Sequence, residues 1–393
     1  MREGWKIISL GEIATVSAGS SAPQNKELFE GGTHLFVRTS DVGKIRVGLI
    51  NNSADKLNEK GIKKLKLFPS GTILFPKSGA STFLNHRVIL TCNAYVSSHL
   101  AAIKAKTQSA LDRYLLHYLT TVKAQDLIQD HKYPSLKVSD IQGIEIPLPS
   151  IPEQKRIVAI LDEAFEGIGR AVANAEKNLA NACELFESYL NSVFTQKGEG
   201  WVERKLGDVC KNLDSKRIPI TKSKRKSGNI PYYGASGIVD YVADFIFDED
   251  LLLVSEDGAN LLARTYPIAF SISGKTWVNN HAHVLRFDEI SSQRFIEYYL
   301  NSISLVPYVS GMAQPKLNQK ALNSIPVSLP PADEQRKIVT QLDKLSAETH
   351  RFEAIYQQKL TALAELKQSL LHKAFTGELT AKPDTVLKHE AVA

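Results

Sequence analysis

The second half of this 393-residue chain repeats the first half. Trp5, followed five residues later by Leu-Gly-Glu, recurs as Trp201, followed five residues later by Leu-Gly-Asp, at an offset of 196 residues. Further along, Leu-Pro and Glu-Gln-Lys-Arg-Ile-Val in the segment from Leu148 match Leu-Pro and Glu-Gln-Arg-Lys-Ile-Val in the segment from Leu329, at an offset of 181. The halves therefore share their ends and differ in their middles, where the second half is 15 residues shorter (196 minus 181). This self-similarity predicts one architecture used twice, with its interior changed.

Both halves carry the same order of secondary-structure signals. Short runs rich in β-forming residues are bounded by Gly, Ser, Asp or Pro, and a short amphipathic helix with apolar residues three and four apart follows them. A proline-containing strand then stops abruptly before a long helical segment. The predicted pairs are strands 71–76 and 250–254, helices 111–122 and 293–302, and strands 144–149 and 325–330.

Each half ends in a long predicted helix, at residues 151–197 and 332–376. Of eleven positions spaced alternately four and three residues apart from Ile157, nine are apolar, and the matching set from Ile338 has eight. An apolar period of 3.5 residues over five heptads is typical of a coiled coil. The predicted seam residues are Ile157, Leu161, Ile168, Leu185, Tyr189, Ile338, Leu342, Leu345, Phe352, Leu363, Leu366 and Leu370.

The order of segments predicts two globular heads, at residues 1–150 and 198–331, and a flexible tail at 377–393. Because only residues 197–201 separate the first long helix from the second head, the two helices must run antiparallel if the heads sit at opposite ends. The predicted fold is α+β, with two similar α/β heads joined by two long antiparallel coiled-coil helices and related by a pseudo-two-fold axis. The alternative is that each helix packs on its own head as an ordinary amphipathic helix.

Composition narrows the class of protein. The chain is 43% hydrophobic and 23% charged, as in a globular protein, and it contains no apolar run of about 18 residues that would predict a membrane span. We find no signal-peptide pattern at the start, and three dispersed cysteines predict neither a disulfide framework nor a CxxC metal site. A cytoplasmic location is expected. The net charge of +6 permits a nucleic-acid partner without requiring one.

The doubled pattern resembles the specificity (S) subunit of type I restriction–modification systems over nearly the whole chain. The resemblance rests on the paired Trp…Leu-Gly-Glu/Asp starts, the Leu-Pro…Glu-Gln-Lys/Arg helix starts and the Phe-Thr helix ends. Segments inside the heads also look similar to that family's target-recognition domains; they begin at Arg38, Lys77, Tyr232, Glu256 and Trp277.

The resemblance implies a function and a set of partners. Each head would bind one half of a split, asymmetric site on double-stranded DNA, and the helices would set the spacer. The helices would also dock two methyltransferase subunits that methylate adenine N6, and two motor-nuclease subunits would join for restriction. The chain would be present as one copy, and S-adenosylmethionine, ATP and Mg²⁺ would bind to the partners. Half-sites one helical turn apart lie about 34 Å from each other, a span that two heads on a rod could bridge.

The sequence predicts no catalytic site and no cofactor of its own. We find no glycine-rich cofactor loop and no Asn/Asp-Pro-Pro-Tyr/Phe motif. The sequence Ser-Gly-Lys-Thr from Ser273 ends like a phosphate-binding loop, but Ala269 stands where its first glycine would be. His281 and His283 on one predicted strand could face a metal ion, yet no third ligand cluster is visible, so no metal site is predicted.

A basic loop in the second head is the strongest candidate for contact with DNA. Residues 216–226 hold six basic side chains and no acid, and Tyr-Tyr-Gly follows at 232–234. Clustered cations can displace phosphate counterions, and an adjacent glycine permits close approach. The predicted DNA-binding residues are Lys216, Arg217, Lys222, Lys224, Arg225, Lys226, Tyr233, Gly234 and Lys275 in the second head, and Arg38, Thr39, Lys63, Lys64, Lys66, Lys77 and Ser78 in the first.

A different class of protein stays open at this point. The rod could belong to a structural adaptor that brings other proteins together, with the basic loop a solvated surface feature.

Overall fold

The structure, a computed structural model, describes residues 2–381 apart from residues 3, 129, 131, 133 and 312. It divides into two compact units, residues 1–174 with 359–393 and residues 175–358. Each unit therefore contains one head, the start of the long helix that follows that head and the end of the other long helix.

The head of the first unit is built on two sheets and a two-stranded ribbon. In spatial order, the larger sheet contains Ala14–Ala18, Leu100–Ala105, Ile73–Pro76, Arg87–Leu90 and Val47–Ile50. The second sheet contains Asp55–Leu57, His34–Val37, Ala94–Val96 and Leu67–Phe68, and the ribbon pairs Lys6–Ser9 with Glu145–Leu148.

The head of the second unit has the same strand order. Its larger sheet contains Lys211–Asn212, Ala282–Arg286, Leu251–Ser255 and Ala269–Ile272. Its second sheet contains Gly237–Val242, Ser227–Gly234, Lys275–Val278 and Phe247–Asp248, and the ribbon pairs Val202–Lys205 with Pro326–Leu329. In both second sheets the two central strands are parallel. The predicted fold class, with two similar α/β heads, is therefore confirmed.

The length difference between the halves has one main origin. In the first head, residues 38–54 separate the strands His34–Val37 and Asp55–Leu57, and they form the helix Thr39–Ile45 and the extra strand Val47–Ile50. In the second head the equivalent strands are separated by residues 235 and 236 alone. Between the paired residues Phe36 and Asp55 the chain advances 19 residues, against 8 between their equivalents Tyr232 and Asp240, so the insertion supplies 11 (19 minus 8) of the 15 residues by which the offsets differ. The interiors of the heads thus share a topology, and the first head carries an insertion.

The strands Ile73–Pro76 and Leu251–Ser255 of the larger sheets are almost wholly apolar because both of their faces are buried. Leu252 and Val254 pack into a core with the head's helix, whereas Leu251 and Leu253 pack into a second core on the opposite face. The first head repeats this arrangement, with Ile73 and its neighbours divided between two cores.

The shorter helices complete the heads. The predicted helices at 111–122 and 293–302 are Asp112–Leu119 and Ile290–Ser302. The Tyr118 hydroxyl donates to the Glu145 carbonyl at 2.7 Å, and the Tyr299 hydroxyl donates to the Pro326 carbonyl at 2.6 Å, so the same bond ties helix to ribbon in both heads. Single turns of α-helix occur at Leu10–Ile13, Val138–Gln142, Leu206–Val209, Asn260–Ala263 and Gln319–Asn323. Turns of 3₁₀ helix occur at Lys26–Leu28, Ala80–Leu84, Ala124–Leu127, Asp214–Lys216, Lys222–Lys224 and Val306–Tyr308.

The long helices span Ile151–Thr195 and Ala332–Thr376, and each begins in one unit and ends in the other. Within the first unit, Lys367 places its ammonium 5.1 Å from the centre of the Phe165 ring. Within the second unit, the Tyr189 hydroxyl donates to Gln341 at 2.5 Å. In each unit the start of one helix thus lies beside the end of the other, which confirms the antiparallel arrangement. No described helix is apolar over a length that could cross a membrane.

The predicted seam is wrong at three of its positions. Leu185 is 62% exposed, Phe352 46% and Leu366 47%. Their neighbours Phe186 and Lys367 are turned inward instead. Seam residues can be spaced by four and then three positions, or by three and then four. Both spacings have the same mean period, so the pattern alone leaves every second seam position uncertain by one residue. The remaining predicted seam residues are buried or half-buried, namely Ile157, Leu161, Ile168, Tyr189, Ile338, Leu342, Leu345, Leu363 and Leu370.

The prediction of a flexible tail at residues 377–393 is wrong for residues 378–381. Residues 378–381 pack against the first head, where Thr380 is 1% exposed. Arg2 donates to Glu153 at 2.7 Å and to the Thr380 hydroxyl at 3.0 Å, and that hydroxyl also donates to Glu153. Residues 382–393 lie outside the described residues.

Candidate nucleic-acid interface

Four lysines of the basic loop in the second head are exposed to solvent. Lys216 ends one 3₁₀ turn, Lys222 and Lys224 lie in the next, and Lys226 directly precedes the strand Ser227–Gly234. None of the four forms a salt bridge with another described residue. We call these four residues the lysine cluster. Their ammonium groups are available to neutralise phosphates.

Arg217 does not belong to this exposed surface, contrary to the sequence prediction. Its side chain is 13% exposed and donates to Glu256 at 2.6 Å and to the Ala282 carbonyl at 2.8 Å. It also lies 3.5 Å from Asp214. An arginine fork suits a buried ion pair better than a lysine ammonium does. Arg217 therefore fixes the start of the loop to the larger sheet.

The same buried cluster contains His283. Its Nδ1 lies 2.5 Å from Asp214 and its Nε2 lies 2.7 Å from the Leu317 carbonyl. A carboxylate and a carbonyl both accept hydrogen bonds, so this geometry suits an imidazole that donates from both nitrogens. Burial opposes ionisation of Asp214, but the hydrogen bond and charge of His283, with further donors, lower the pKa of that carboxyl.

The cluster contains the one group of three potential metal ligands found among the described residues, Asp214, Glu256 and His283, whose ligand atoms lie within 4.8 Å of one another. Arg217 and Lys316, the latter 3.1 Å from Glu256, already supply positive charge to the carboxylates. The donor set therefore fits an internal ion network better than a cation site. The expectation that His281 and His283 share a face is wrong, because the strand begins at Ala282 and His281 is exposed beside Asp257.

Arg225 is also held within the protein rather than presented to solvent. Its side chain is 18% exposed, and it donates to Asp240 at 3.0 Å and to the Ile220 carbonyl at 3.1 Å. Its guanidinium lies 4.4 Å from the centre of the Tyr232 ring. The hydrogen bond from Arg225 lowers the pKa of Asp240. Arg225 thus anchors the lysine cluster to the second sheet.

Of the other predicted residues in this head, Lys275 alone is exposed, with its ammonium 4.7 Å from the centre of the Phe245 ring. Tyr233 is half-buried and packs on Phe270. Gly234 is buried, and a Cβ there would lie 3.0 Å from Val239, so close packing within the sheet explains the glycine.

An exposed apolar hairpin lies next to the lysine cluster and was not predicted from the sequence. Ile238, Val239 and Tyr241 on the strand Gly237–Val242 are each about half exposed. Their nearness to the cluster depends on pairing with the strand that follows it, which the residue pattern did not predict.

In the first head, Lys63, Lys64 and Lys66 are exposed just before the strand Leu67–Phe68 of the second sheet. Lys66 donates to the Ser17 hydroxyl at 3.1 Å and lies 5.1 Å from the centre of the Phe68 ring. These three lysines are the cationic surface of this head that corresponds to the sequence prediction.

Arg38 lies at the end of the strand His34–Val37, and Thr39 begins the helix that follows. The Arg38 Nε donates to Asp55, and the side chain is 39% exposed. The insertion described above starts at this point, so Arg38 joins the shared topology to the part that the second head lacks.

Lys77 and Ser78 form a half-buried turn that recurs in the second head. The Ser78 hydroxyl lies 2.7 Å from His99 Nδ1, and Asp257 lies 2.8 Å from His281 Nδ1. The Lys77 N–H donates to the His99 carbonyl just as the equivalent N–H of the second head donates to His281. This turn is therefore a common structural element of both heads, and the half-burial of Lys77 limits its access to a ligand.

Comparison with known protein families decides the class of the molecule. The family model described as type I restriction modification DNA specificity domain matches residues 2–173 and again residues 198–362. The chain belongs to this family. It contains two such domains in tandem and is a type I restriction–modification specificity subunit.

Sequence relatives carry the same description. The chain is 25% identical over 357 residues, 85% of each protein, to the EcoprrI specificity subunit of Escherichia coli. It is 30% identical over 171 residues to the MjaIX specificity subunit of Methanocaldococcus jannaschii, which is 42% of this chain and 39% of that relative. A Haemophilus influenzae specificity-subunit relative is 39% identical over 144 residues, 37% of each protein. The matches to the last two relatives thus span less than half of their lengths.

Solved structures show the same fold. A chain from a study of complex assembly and conformational transition of the type I R-M system superposes with a TM-score of 0.73 at 20% identity, covering 96% of this chain and 99% of that chain. The HsdS subunit of Thermoanaerobacter tengcongensis gives a TM-score of 0.57 at 20% identity, covering 96% and 98%.

Proposed function

We propose that this specificity subunit is non-catalytic and that each head binds one half of a bipartite, asymmetric site on double-stranded DNA. The observation that carries the proposal is the repeated pair of sheets, in which the two heads keep one strand order but present different side chains. Two domains that bind unlike half-sites need a shared topology with different surfaces. In each head, exposed lysines lie beside the second sheet, where they can hold the phosphate backbone while other groups meet base edges.

The partners follow from the family. We propose that the chain acts as one copy in a cytoplasmic complex with two methyltransferase subunits, which methylate adenine N6, and that two motor-nuclease subunits join for restriction. S-adenosylmethionine, ATP and Mg²⁺ would bind to those partners. One copy is sufficient because the chain already holds two heads.

The long helices have a separate proposed role. Each passes without interruption from one unit into the other, so its length is fixed at about 1.5 Å per residue. We propose that the pair sets the spacer between the half-sites and supplies the docking surface for the methyltransferase subunits.

Replacing the lysine cluster tests the placement of the interface. We expect Lys216, Lys222, Lys224 and Lys226, all changed to Ala, to weaken binding of the methyltransferase complex to its own site. Each phosphate contact contributes about 0.9 to the slope of log K against log salt, so loss of four contacts would reduce that slope by about 3 to 4. Fluorescence anisotropy at several salt concentrations measures both quantities.

The matched control changes four other exposed lysines of the same unit, Lys205, Lys211, Lys320 and Lys344, to Ala, which gives the same change in net charge. This control should leave the slope nearly unchanged. Equal losses in the two variants would mean that overall charge, rather than the lysine cluster, supports binding, and the proposed interface would be wrong.

A further inference from the structure

The two heads contain the same arrangement of an arginine, an aspartate and an aromatic ring, assembled from different parts of the chain. In the first head, Arg38 donates to Asp55 and its guanidinium lies 5.3 Å from the centre of the Phe36 ring. Asp55 lies directly opposite Phe36 in the strand register. The guanidinium is thus held by a charge at one edge and by a ring at its face.

In the second head, the aspartate and the ring occupy equivalent positions, but the arginine does not. Asp240 lies opposite Tyr232 in the register, as Asp55 lies opposite Phe36. Arg225 precedes its strand, whereas Arg38 follows the equivalent strand. Both heads therefore contain the arrangement, but the arginine comes from a different position in the chain.

The donors left over differ between the two arginines. Arg225 uses Nε and one Nη for protein acceptors and is 18% exposed. Arg38 uses only Nε and is 39% exposed, so both of its Nη groups lack a partner among the described residues. Arg225 is a structural anchor, whereas Arg38 keeps two coplanar Nη groups available as donors.

Arg38 is also fixed at its backbone and opens onto a recess. Asp41 accepts the Arg38 N–H at 2.9 Å and the Ala54 N–H at 3.0 Å, which holds the start of the insertion. The recess has a volume of about 320 Å³. Its lining consists of Pro23, Gln24, Lys26, Phe29, Arg38 and Asp55.

We propose that Arg38 is a specificity-determining residue that recognises a guanine in the half-site bound by the first head. This inference rests on the proposed function of the heads. In the major groove guanine presents two acceptors, O6 and N7, whereas adenine presents one acceptor and one donor. Two free N–H groups on a rigid fork match guanine and oppose the adenine donor. The ring contacts and Asp55 fix this fork before DNA binds, which reduces the entropy lost on recognition.

Binding of single-base variants of the site by the full methyltransferase complex tests this proposal. The wild-type site is first read from a methylation map, and duplexes with each base pair at every position are then compared. For Arg38→Ala we expect selectivity for G at one position of one half-site to fall about 5- to 150-fold, with the other half-site read as before. Arg38→Lys keeps the charge but not the fork, so it should lose most of the same selectivity.

Asp55→Asn and Lys56→Ala complete the design. Asp55→Asn removes the negative charge that orients Arg38, so it should lower the selectivity for G at the same position of the half-site by a smaller factor. Lys56→Ala removes an exposed cation from the same strand and should leave every position unchanged. Thermal unfolding of each variant complex separates a lost contact from a lost fold, and Arg38→Lys stays informative if Arg38→Ala does not assemble.

The outcomes distinguish this inference from the proposed function. Unchanged base selectivity in folded Arg38→Lys and Arg38→Ala complexes, or relaxation at an A·T pair, would overturn the role of Arg38 and leave the proposed function intact. If the wild-type complex itself reads no sequence that depends on this chain, the proposed function fails, and the inference fails with it.

Discussion

At the scale of single residues, charge type separates the basic loop into two groups with different tasks. The lysine cluster faces solvent, whereas Arg217 and Arg225 are held by acids that lie far away in sequence, Glu256 and Asp240. The sequence prediction treated all six cations alike because composition cannot reveal partners up to 39 residues distant. The choice of Arg over Lys was the available signal, since a planar fork is favoured in buried ion pairs.

Asp214 leads to a prediction about acid stability. Its pKa is lowered in the folded state, so its contribution to stability is complete above the ordinary value of about 3.9 and is lost as the pH falls through the folded value. Asp214→Asn removes the carboxylate from a buried ion network and should destabilise the second unit by about 3 kcal/mol at pH 7.

Thermal unfolding between pH 7 and pH 2 checks this prediction. The wild-type midpoint should fall with the pH more steeply than the variant's, so that the two curves approach each other in acid. A constant difference across this range would show that Asp214 acts by packing rather than by its charge.

At the scale of secondary-structure elements, the two long helices were predictable and the details of their packing were not. Their length and antiparallel direction follow from an apolar period and from a short linker. Which residue of each turn faces inward depends on the side chains of the head against which the helix packs. Phe186 faces inward because its ring contacts Tyr298 of the head at a centroid distance of 6.5 Å, a contact that a heptad count cannot anticipate.

Adjacent substitutions test this difference. Phe186→Ala should destabilise the second unit by about 2 kcal/mol, less than for a fully buried ring, whereas Leu185→Ala should cost less than about 0.5 kcal/mol because Leu185 lies on the solvent side. Chemical denaturation of both variants measures the two values. If Leu185→Ala lowered the free energy of unfolding more than Phe186→Ala does, the seam register predicted from the sequence would be correct.

At the scale of the whole molecule, the internal repeat made the architecture predictable. Two offsets in the sequence indicated two heads and a length difference, and the structure locates most of that difference in residues 38–54. The common strand order of the heads was not visible, since a sheet's order depends on pairings between distant segments. The Arg38 recess was missed for the same reason: its lining comes from three segments that meet only in the folded head.

In the proposed function, this chain alone supplies sequence specificity to its methyltransferase partners. The most direct test is a genome-wide map of N6-methyladenine in a host without such systems, with the methyltransferase subunits expressed with and without this chain. We expect a two-part motif with a fixed spacer, methylated on both strands and absent when the chain is omitted. Folded, chain-bound methyltransferase without a chain-dependent motif would contradict the proposed function and favour an adaptor.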